Sequence, residues 1–435
     1  MPKSPARGQV LLTAALLASL ALAGCTSPEG GQASPTPSAD SDSAPDTFDH
    51  PSQFDWGTAT HLKAADGAPA SLLSGYFEFV FGDNGQVQAL DVRTGQRLWS
   101  APLAATPGTW RCPTLAVDDN NLYAIAGDFS DQSGPVPVTL TAYAKDTGDV
   151  AWRFSPTTTK APVSTECGNV LNYDVTPTSH GLLVMVSEAA NDDGTAYTSY
   201  SDMLDATAGT LTWNSTSAVQ AASGADSGIA VAATVAANGS QHTTVSTIDL
   251  GTGQLGDSVD DVTTPSGSWP PTYSLLGVAG GAQQIVKQVT KEASSGSLTT
   301  TTSLITEPAA GDATTTSSTL TLAGSDFDLC QLATSNTLVC TKISQPGVAY
   351  GVNLADGAVS WHHTYSTDPE PAPPLLFNGY LYGTTNGGTF ALDADTGDVP
   401  HVSAAHQVTN VNGAGVTFDV TSGNATQCWW APAVG

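Results

Sequence analysis

The chain has 435 residues, and its 12 Lys and Arg stand against 40 Asp and Glu, which gives a formal net charge of −28. Charged residues make up only 12% of the chain. This balance excludes nucleic-acid binding and the binding of anionic lipid through a basic patch.

The N-terminus has the pattern of an export signal. Residues 1–8 carry Lys3 and Arg7, residues 10–22 are apolar, and Leu22-Ala23-Gly24-Cys25 ends the run. An apolar run of this length after a basic segment indicates a signal peptide over residues 1–24, too short to remain as a membrane-spanning helix. The ending resembles the bacterial lipobox, in which the cysteine becomes the lipidated first residue of the mature chain. We therefore expect lipidation at Cys25; an ordinary signal peptide with a chance cysteine is the alternative.

Residues 25–53 contain the lipidated cysteine and then mainly Ser, Pro, Gly, Ala and acids, with little to bury. Such a composition predicts a disordered tether. At about 5–6 Å times the square root of its length, residues 26–53 would place the folded part on the order of 30 Å from the bilayer. The folded domain is predicted over residues 54–435.

An eleven-residue phrase recurs through the folded domain. Its clearest copy is ALDVRTGQRLW at residues 89–99. The others lie at 142–152, 203–213, 247–257, 304–314 (the least regular), 351–361 and 391–401. Taking the turn glycine as a marker, successive copies are 40 to 61 residues apart, a period typical of propellers and solenoids.

Each phrase indicates a strand, a tight turn and a second strand. Alternating apolar and polar residues precede a Thr-Gly or Asp-Gly turn, and residues 75–90 add an earlier strand and hairpin in front of the first phrase. Each unit is thus an antiparallel meander of about four strands, and no amphipathic helix is apparent. Units of this kind predict an all-β fold, a β-propeller of four-stranded blades.

The repeat resembles the quinoprotein-type (PQQ-like) propeller family, and the layout resembles the BamB-like bacterial lipoproteins. In that family the closing tryptophan of each phrase packs between neighbouring blades, a role the resemblance gives to Trp99, Trp152, Trp213 and Trp361. The phrases at 247–257, 304–314 and 391–401 lack it, so their blade contacts must differ.

Seven phrases still predict eight blades. Residues 407–411, 415–420 and 425–431 read as three strands after the last phrase, and Phe54-Asp55-Trp56-Gly57 has the character of an outer strand with no unit before it. Together they would form an eighth blade, with Trp56 buried among the blade-packing tryptophans. Seven blades with an additional C-terminal hairpin are the alternative.

Six cysteines include Cys25. Cys330 and Cys340 flank a turn and predict a disulfide across a hairpin, and Cys112 and Cys167 hold similar places in consecutive units, so they form a second candidate pair. Cys428 is then the odd cysteine, either buried or free.

The sequence offers no catalytic site. It has no Cys-Cys dipeptide, zinc spacing or GxSxG motif, and we predict no cofactor and no metal. Residues 118–121 and 191–194 offer oxygens for calcium but are more typical of hairpin turns. His180, His242, His362 and His401 are expected on strand faces or turns.

We therefore expect a non-enzymatic, monomeric scaffold, lipid-anchored at the outer face of the cytoplasmic membrane, that binds a protein or peptide on one rim of the propeller. The alternatives are an extracytoplasmic sensor of a small ligand or sugar and a cofactor binder related to quinone-dependent dehydrogenases.

Overall fold

The computed structural model describes most of the folded domain. Within residues 54–433 it describes all except 63–69, 83–84, 106–108, 131–133, 157, 159–170, 190–196, 237, 266–267, 269, 280, 293–297, 309–317, 323–326, 328, 343–344, 366–374, 386–387, 400, 403–406 and 423–424. In this described part, no helix has the length and apolar character that crossing a membrane requires.

The described strands form eight four-stranded antiparallel sheets, the blades, and the first seven are meanders in chain order. A short closing strand, β1 (Thr60–Leu62), comes first. Blade 1 contains β2 (Ala70–Ser74), β3 (Phe77–Phe81), β4 (Gln86–Asp91) and β5 (Gln96–Pro102), and blade 2 contains β6 (Trp110–Val117), β7 (Asn121–Asp128), β8 (Val138–Ala144) and β9 (Val150–Phe154). Blade 3 contains β10 (Leu171–Thr178), β11 (Gly181–Ala189), β12 (Tyr197–Leu204) and β13 (Leu211–Ser215), and blade 4 contains β14 (Ala218–Ala221), β15 (Ser227–Val235), β16 (Gln241–Asp249) and β17 (Leu255–Thr264). Blade 5 contains β18 (Thr272–Ala279), β19 (Ala282–Glu292), β20 (Leu298–Pro308) and β21 (Ser318–Thr321), and blade 6 contains β22 (Leu329–Leu332), β23 (Thr337–Lys342), β24 (Gln345–Asn353) and β25 (Val359–Thr364). Blade 7 contains β26 (Leu375–Phe377), β27 (Tyr380–Thr385), β28 (Gly388–Asp393) and β29 (His401–Val402), and blade 8 contains β30 (Gln407–Asn412), β31 (Gly415–Ser422) and β32 (Ala425–Pro432) together with β1.

The eighth blade closes the ring with strands from both ends of the domain. β1 pairs antiparallel with β32, so that Thr60 faces Trp430 and Leu62 faces Cys428. The sheet order is β1, β32, β31, β30, which makes the N-terminal strand the outer one. The eight-bladed prediction, with an N-terminal strand completing the last blade, is confirmed.

The predicted position of that closing strand is wrong by several residues. Phe54 forms one isolated bridge with Ala433, and Trp56–Thr58 forms a 3₁₀ turn. The Asp55 carboxylate accepts a hydrogen bond from the Gly57 N–H at 3.0 Å, which stabilises the turn instead of a strand. Trp56 is half-buried rather than buried, and its ring packs against Phe418 at 4.9 Å.

The tryptophans at the ends of the phrases lie on the turn of the next blade. Trp99 Nε1 donates a hydrogen bond to the Lys145 carbonyl at 2.9 Å, and a Cβ added at Gly148 would lie 2.5 Å from the Trp99 ring. The same pair of contacts joins Trp152 to Ala206 and Gly209, Trp213 to Leu250 and Gly253, and Trp361 to Ala394 and Gly397.

Blades that lack the tryptophan use other contacts at this position. Gly95 of blade 1 lies directly against the His61 carbonyl of β1, and Gly357 of blade 6 lies against Leu320 of blade 5. The hydrophobic core is therefore a series of layers between adjacent blades; one layer, for example, joins Phe79 and Trp99 to Leu122 and Tyr143 of the next blade.

Candidate interaction surface

The propeller has two faces with different connections. In an antiparallel meander the first and third turns of a blade open on one face, and the second turn opens on the other. We call the face that carries the phrase glycines, such as Gly95 and Gly148, the tight-turn rim. The opposite face, which carries the second turn of each blade, is the loop rim.

Carboxylates on the tight-turn rim stabilise their own turns. Asp205 Oδ1 accepts hydrogen bonds from the N–H groups of Thr207 and Ala208, both at 2.8 Å. Hydrogen bonds from the hydroxyl and N–H of Thr252 lower the pKa of Asp249. Because their acceptor capacity is used locally, these acids have a structural role.

Residues 118–121, which offer oxygens for calcium, form a turn in which the acid is again bonded locally. Asp118 Oδ1 accepts from the N–H groups of Asn120 at 2.8 Å and Asn121 at 2.7 Å, and Asp118 Oδ2 accepts from the Tyr123 hydroxyl at 2.6 Å. Residues 191–194 lie outside the described part of the chain. Among the residues that the structure describes, no group of three or more His, Cys, Asp or Glu is arranged to hold a metal ion.

The histidines singled out from the sequence lie apart. His180 Nε2 is 3.5 Å from Asp226 Oδ1 in a turn, and His242 Nδ1 is 3.4 Å from Asp261 Oδ1 on blade 4. His362 is exposed, whereas burial lowers the pKa of its neighbour His363, which contacts Phe390. The side chain of His401 is outside the described part of the structure.

The loop rim carries a hairpin of blade 4 that extends past the inner strand. β14 pairs with β15 only as far as Val231, opposite Ala218, while β15 continues beside β16 until Val235 faces Gln241. Among the described strands, residues 232–235 are thus paired on one edge only. Residues 233–235 are exposed, and Val235 has 63% of its surface accessible.

Blade 5 extends on the same rim. β18 pairs with β19 up to Gln288, and β19 then continues beside β20 until Glu292 faces Leu298. At nine and eleven residues, the second strands of blades 4 and 5 are longer than their inner neighbours β14 and β18, which have four and eight residues. Two neighbouring hairpins therefore project from one sector of the disc.

A polar cluster fixes the base of these two hairpins. Lys287 Nζ lies 2.5 Å from Asp260 Oδ2, which also accepts a hydrogen bond from the Tyr273 hydroxyl at 2.9 Å. Gln220 donates to the Tyr273 carbonyl at 3.1 Å and accepts from the Leu275 N–H at 2.8 Å. These contacts join blade 4 to blade 5, so the two hairpins share a fixed base.

Sequence reasoning missed the open edge of β15. The run at residues 228–237 is apolar throughout most of its length, but residues 228–230 are buried and residues 233–235 are exposed. No sequence signal marks the change, because it depends on an inner neighbour, β14, that is only four residues long.

The cysteines divide between described and undescribed parts of the chain. Cys330 and Cys340 are cross-strand neighbours joined by a disulfide, with 4.1 Å between their Cα atoms. Cys112 and Cys428 are each disulfide-bonded as well, and Cys428 is half-buried, so the expectation that Cys428 is buried or free is wrong. Cys25 and Cys167 lie outside the described residues, and the pairing of Cys112 with Cys167 stays a prediction.

Comparison with known proteins identifies the repeat. Residues 83–268 match the family model described as outer membrane protein assembly factor BamB. No curated protein matches the chain.

Solved structures with similar folds are distant. The quinohemoprotein alcohol dehydrogenase ADHIIG from Pseudomonas putida HK5 is 14% identical with a TM-score of 0.36; the match covers 85% of this chain and 66% of the dehydrogenase. Sqt1 from Saccharomyces cerevisiae is 9% identical, with a TM-score of 0.47 and coverage of 89% and 98%. BamB from Moraxella catarrhalis is 11% identical, with a TM-score of 0.28 and coverage of 86% and 81%. At these identities and TM-scores, none of the three carries information about function.

Proposed function

We propose that this chain, whose residues 83–268 carry the BamB-type repeat, is a non-enzymatic scaffold that binds an extended polypeptide on its loop rim. Cys25 anchors it by lipid at the outer face of the cytoplasmic membrane, and the tether of residues 26–53 holds the propeller away from the bilayer. The observation that carries the binding proposal is the half-paired edge of β15 at residues 232–235.

An open strand edge presents backbone N–H and C=O groups that an incoming strand can pair with. Main-chain pairing supplies affinity, and alternate side chains supply specificity. Ala233 and Val235 are two residues apart and so lie on one face of the sheet, and both are exposed. The partner strand should therefore bring small or apolar side chains to that face.

Site-specific photocrosslinking in intact cells tests this proposal. A photoreactive amino acid at Val235 should give adducts of defined mass with a polypeptide. The matched control is Val359, which is also an exposed apolar residue, 38% accessible, but begins β25 beside the tight-turn rim. Equal adducts at both positions, or none at Val235, would contradict binding on the loop rim.

A second variant separates backbone pairing from side-chain contact. Val235→Thr keeps a β-branched residue and the strand but removes apolar surface, so the adduct formed from a probe at Ala233 should weaken and not disappear. In β15 the even-numbered residues bond β16, as Ala236 N–H does to the Ser240 carbonyl at 2.8 Å, so the N–H of Val235 faces the open edge. Val235→Pro removes that N–H and blocks strand addition, so it should abolish the adduct while the far-ultraviolet spectrum of the propeller stays unchanged. An adduct that survives Val235→Pro would show that the partner does not bind as an added strand.

A further inference from the structure

Three polar side chains meet inside the joint between blades 1 and 8, which we call the seam: Ser71 and Glu78 of blade 1, and Asn410 of blade 8. The acid Asp419 of blade 8 lies near enough to raise the pKa of Glu78. Asn410 Nδ2 donates to Ser71 Oγ at 3.1 Å and to Glu78 Oε1 at 3.3 Å. Glu78 is only 3% exposed, and its Oε2 has no hydrogen-bond partner among the described residues. A buried carboxyl oxygen without a partner is costly when it carries charge.

The described strands around Glu78 offer no cation to balance that charge. Among the described residues of the strands around it, β2 and β30 carry no charged side chain, and β4 ends in Asp91, which is ion-paired with Arg93 at 3.0 Å. β31 contributes the acid Asp419, and β32 contributes the disulfide-bonded Cys428. β1 carries His61, which stacks on Trp429 at 4.8 Å.

Protonation therefore favours the closed seam. Burial, together with the nearby Asp419, raises the pKa of Glu78 to about 8, and burial raises the pKa of Asp419 to about 7. Opening the seam would hydrate Glu78 and return its pKa to the ordinary range near 4.5. The stabilisation is thus fully present below about pH 4.5 and is lost as the pH rises towards 8.

We propose that the seam is a pH-sensitive closure, in which the neutral carboxyl of Glu78 holds blade 1 against blade 8 and its deprotonation opens the ring where the two chain ends meet. The proton passes to water, and no other reactant is needed. Asn412 helps to define the opening unit, because its Nδ2 donates to the Gly75 carbonyl across the same joint at 2.8 Å.

Hydrogen exchange of the full exported chain, measured between pH 5 and pH 9 and corrected for intrinsic chemical exchange, tests the proposal. The opening constant of peptides from β2–β3 and β30–β31 should rise with pH between pH 5 and pH 8. Above pH 7, where Asp419 is largely ionised, the rise should be up to about tenfold per pH unit, the slope for the one proton of Glu78. Peptides from β14–β17 in blade 4 should not follow. Glu78→Gln keeps the shape of the side chain without the charge and should flatten the response above pH 7.

The matched control is Glu307→Gln, which removes a carboxyl that is 5% exposed on blade 5, far from the seam. This variant should keep the full response at the seam. A response that blade 4 shares, a flat wild-type profile, or a slope above pH 7 that persists in Glu78→Gln would each overturn the proposal. If Glu78→Gln fails to fold, the wild-type comparison of the seam with blade 4 decides, and Asp419→Asn should then weaken the response below pH 7.

Discussion

At the scale of single residues, the contacts between blades depend on glycines that serve two purposes. Gly148 has φ +74°, which a turn requires, and its missing Cβ leaves room for the Trp99 ring of the preceding blade. The Thr-Gly or Asp-Gly turn predicts the positive φ. The space left for the Trp99 ring cannot be predicted from the turn, because Trp99 lies on the neighbouring blade and comes close only after folding.

Alanine substitutions separate the two purposes. Gly75 also has a positive φ, +57°, but a Cβ there would meet nothing within 4 Å. Gly75→Ala should therefore lower the free energy of unfolding by about 1–2 kcal/mol, from backbone strain alone. Gly148→Ala should cost about 1–3 kcal/mol more, because the added methyl overpacks the Trp99 ring. Equal shifts of the urea midpoint in the two variants would contradict a packing role for this glycine.

The disulfide at Cys330 and Cys340 is also a residue-scale feature, since its partners are ten residues apart. Replacing both cysteines by alanine should lower the free energy of unfolding by about 2–4 kcal/mol without abolishing the fold. Non-reducing peptide mapping of the exported protein should find the two joined, as expected in an oxidising compartment. Free thiols at both positions would show the prediction to be wrong.

At the scale of elements, the closing strand shows how little backbone completes the ring. β1 contributes only three residues to blade 8, while Phe54 and Trp56 add packing against blades 7 and 8. The Thr60 hydroxyl donates to the Arg93 carbonyl of blade 1 at 3.1 Å, so this strand also joins blade 8 to the next blade.

Truncations test which segment closes the ring. A chain starting at Ala59 keeps β1 and should unfold cooperatively, with a stability loss of at least the roughly 3–5 kcal/mol of a buried aromatic truncation, since Phe54 is buried and Trp56 is half-buried. A chain starting at Ala65 loses β1, and a chain ending at His401 loses β30–β32. Both should aggregate through the exposed edge.

Deletion of residues 26–53 is the control for these truncations and should leave the unfolding transition unchanged. Scanning calorimetry with light scattering measures all four chains. Cooperative unfolding of the chain that starts at Ala65 would show that β1 is dispensable.

At the scale of the whole molecule, a lipid anchor and the disulfides both use cysteine sulfur. Lipidation would use the sulfur of Cys25, so the anchor requires that neither Cys112 nor Cys428, which are both disulfide-bonded, is joined to Cys25.

Cys25→Ser should release the protein from the membrane fraction or leave it as uncleaved precursor. Fractionation with labelled palmitate measures both outcomes, and Cys428→Ser is the control that should keep the label. Palmitate incorporation that persists in Cys25→Ser, or a disulfide at Cys25 in the exported protein, would contradict the anchor.

The sequence by itself determined the repeat, the all-β class and the eight blades, because turn glycines and strand alternation act within eleven residues of one another. It also placed the strands of the last blade, from residues 407, 415 and 425, at their correct starts. Only the tertiary structure decided where the ring closes, which strand edge stays open and which acid is buried. Asp55 stabilises a local turn, so the closing strand begins several residues later than predicted. β15 is longer than its inner neighbour, whose length no sequence pattern sets. Glu78 contacts Asn410, which is 332 residues away in the chain. Such contacts depend on how blades pack together, and no local pattern records them.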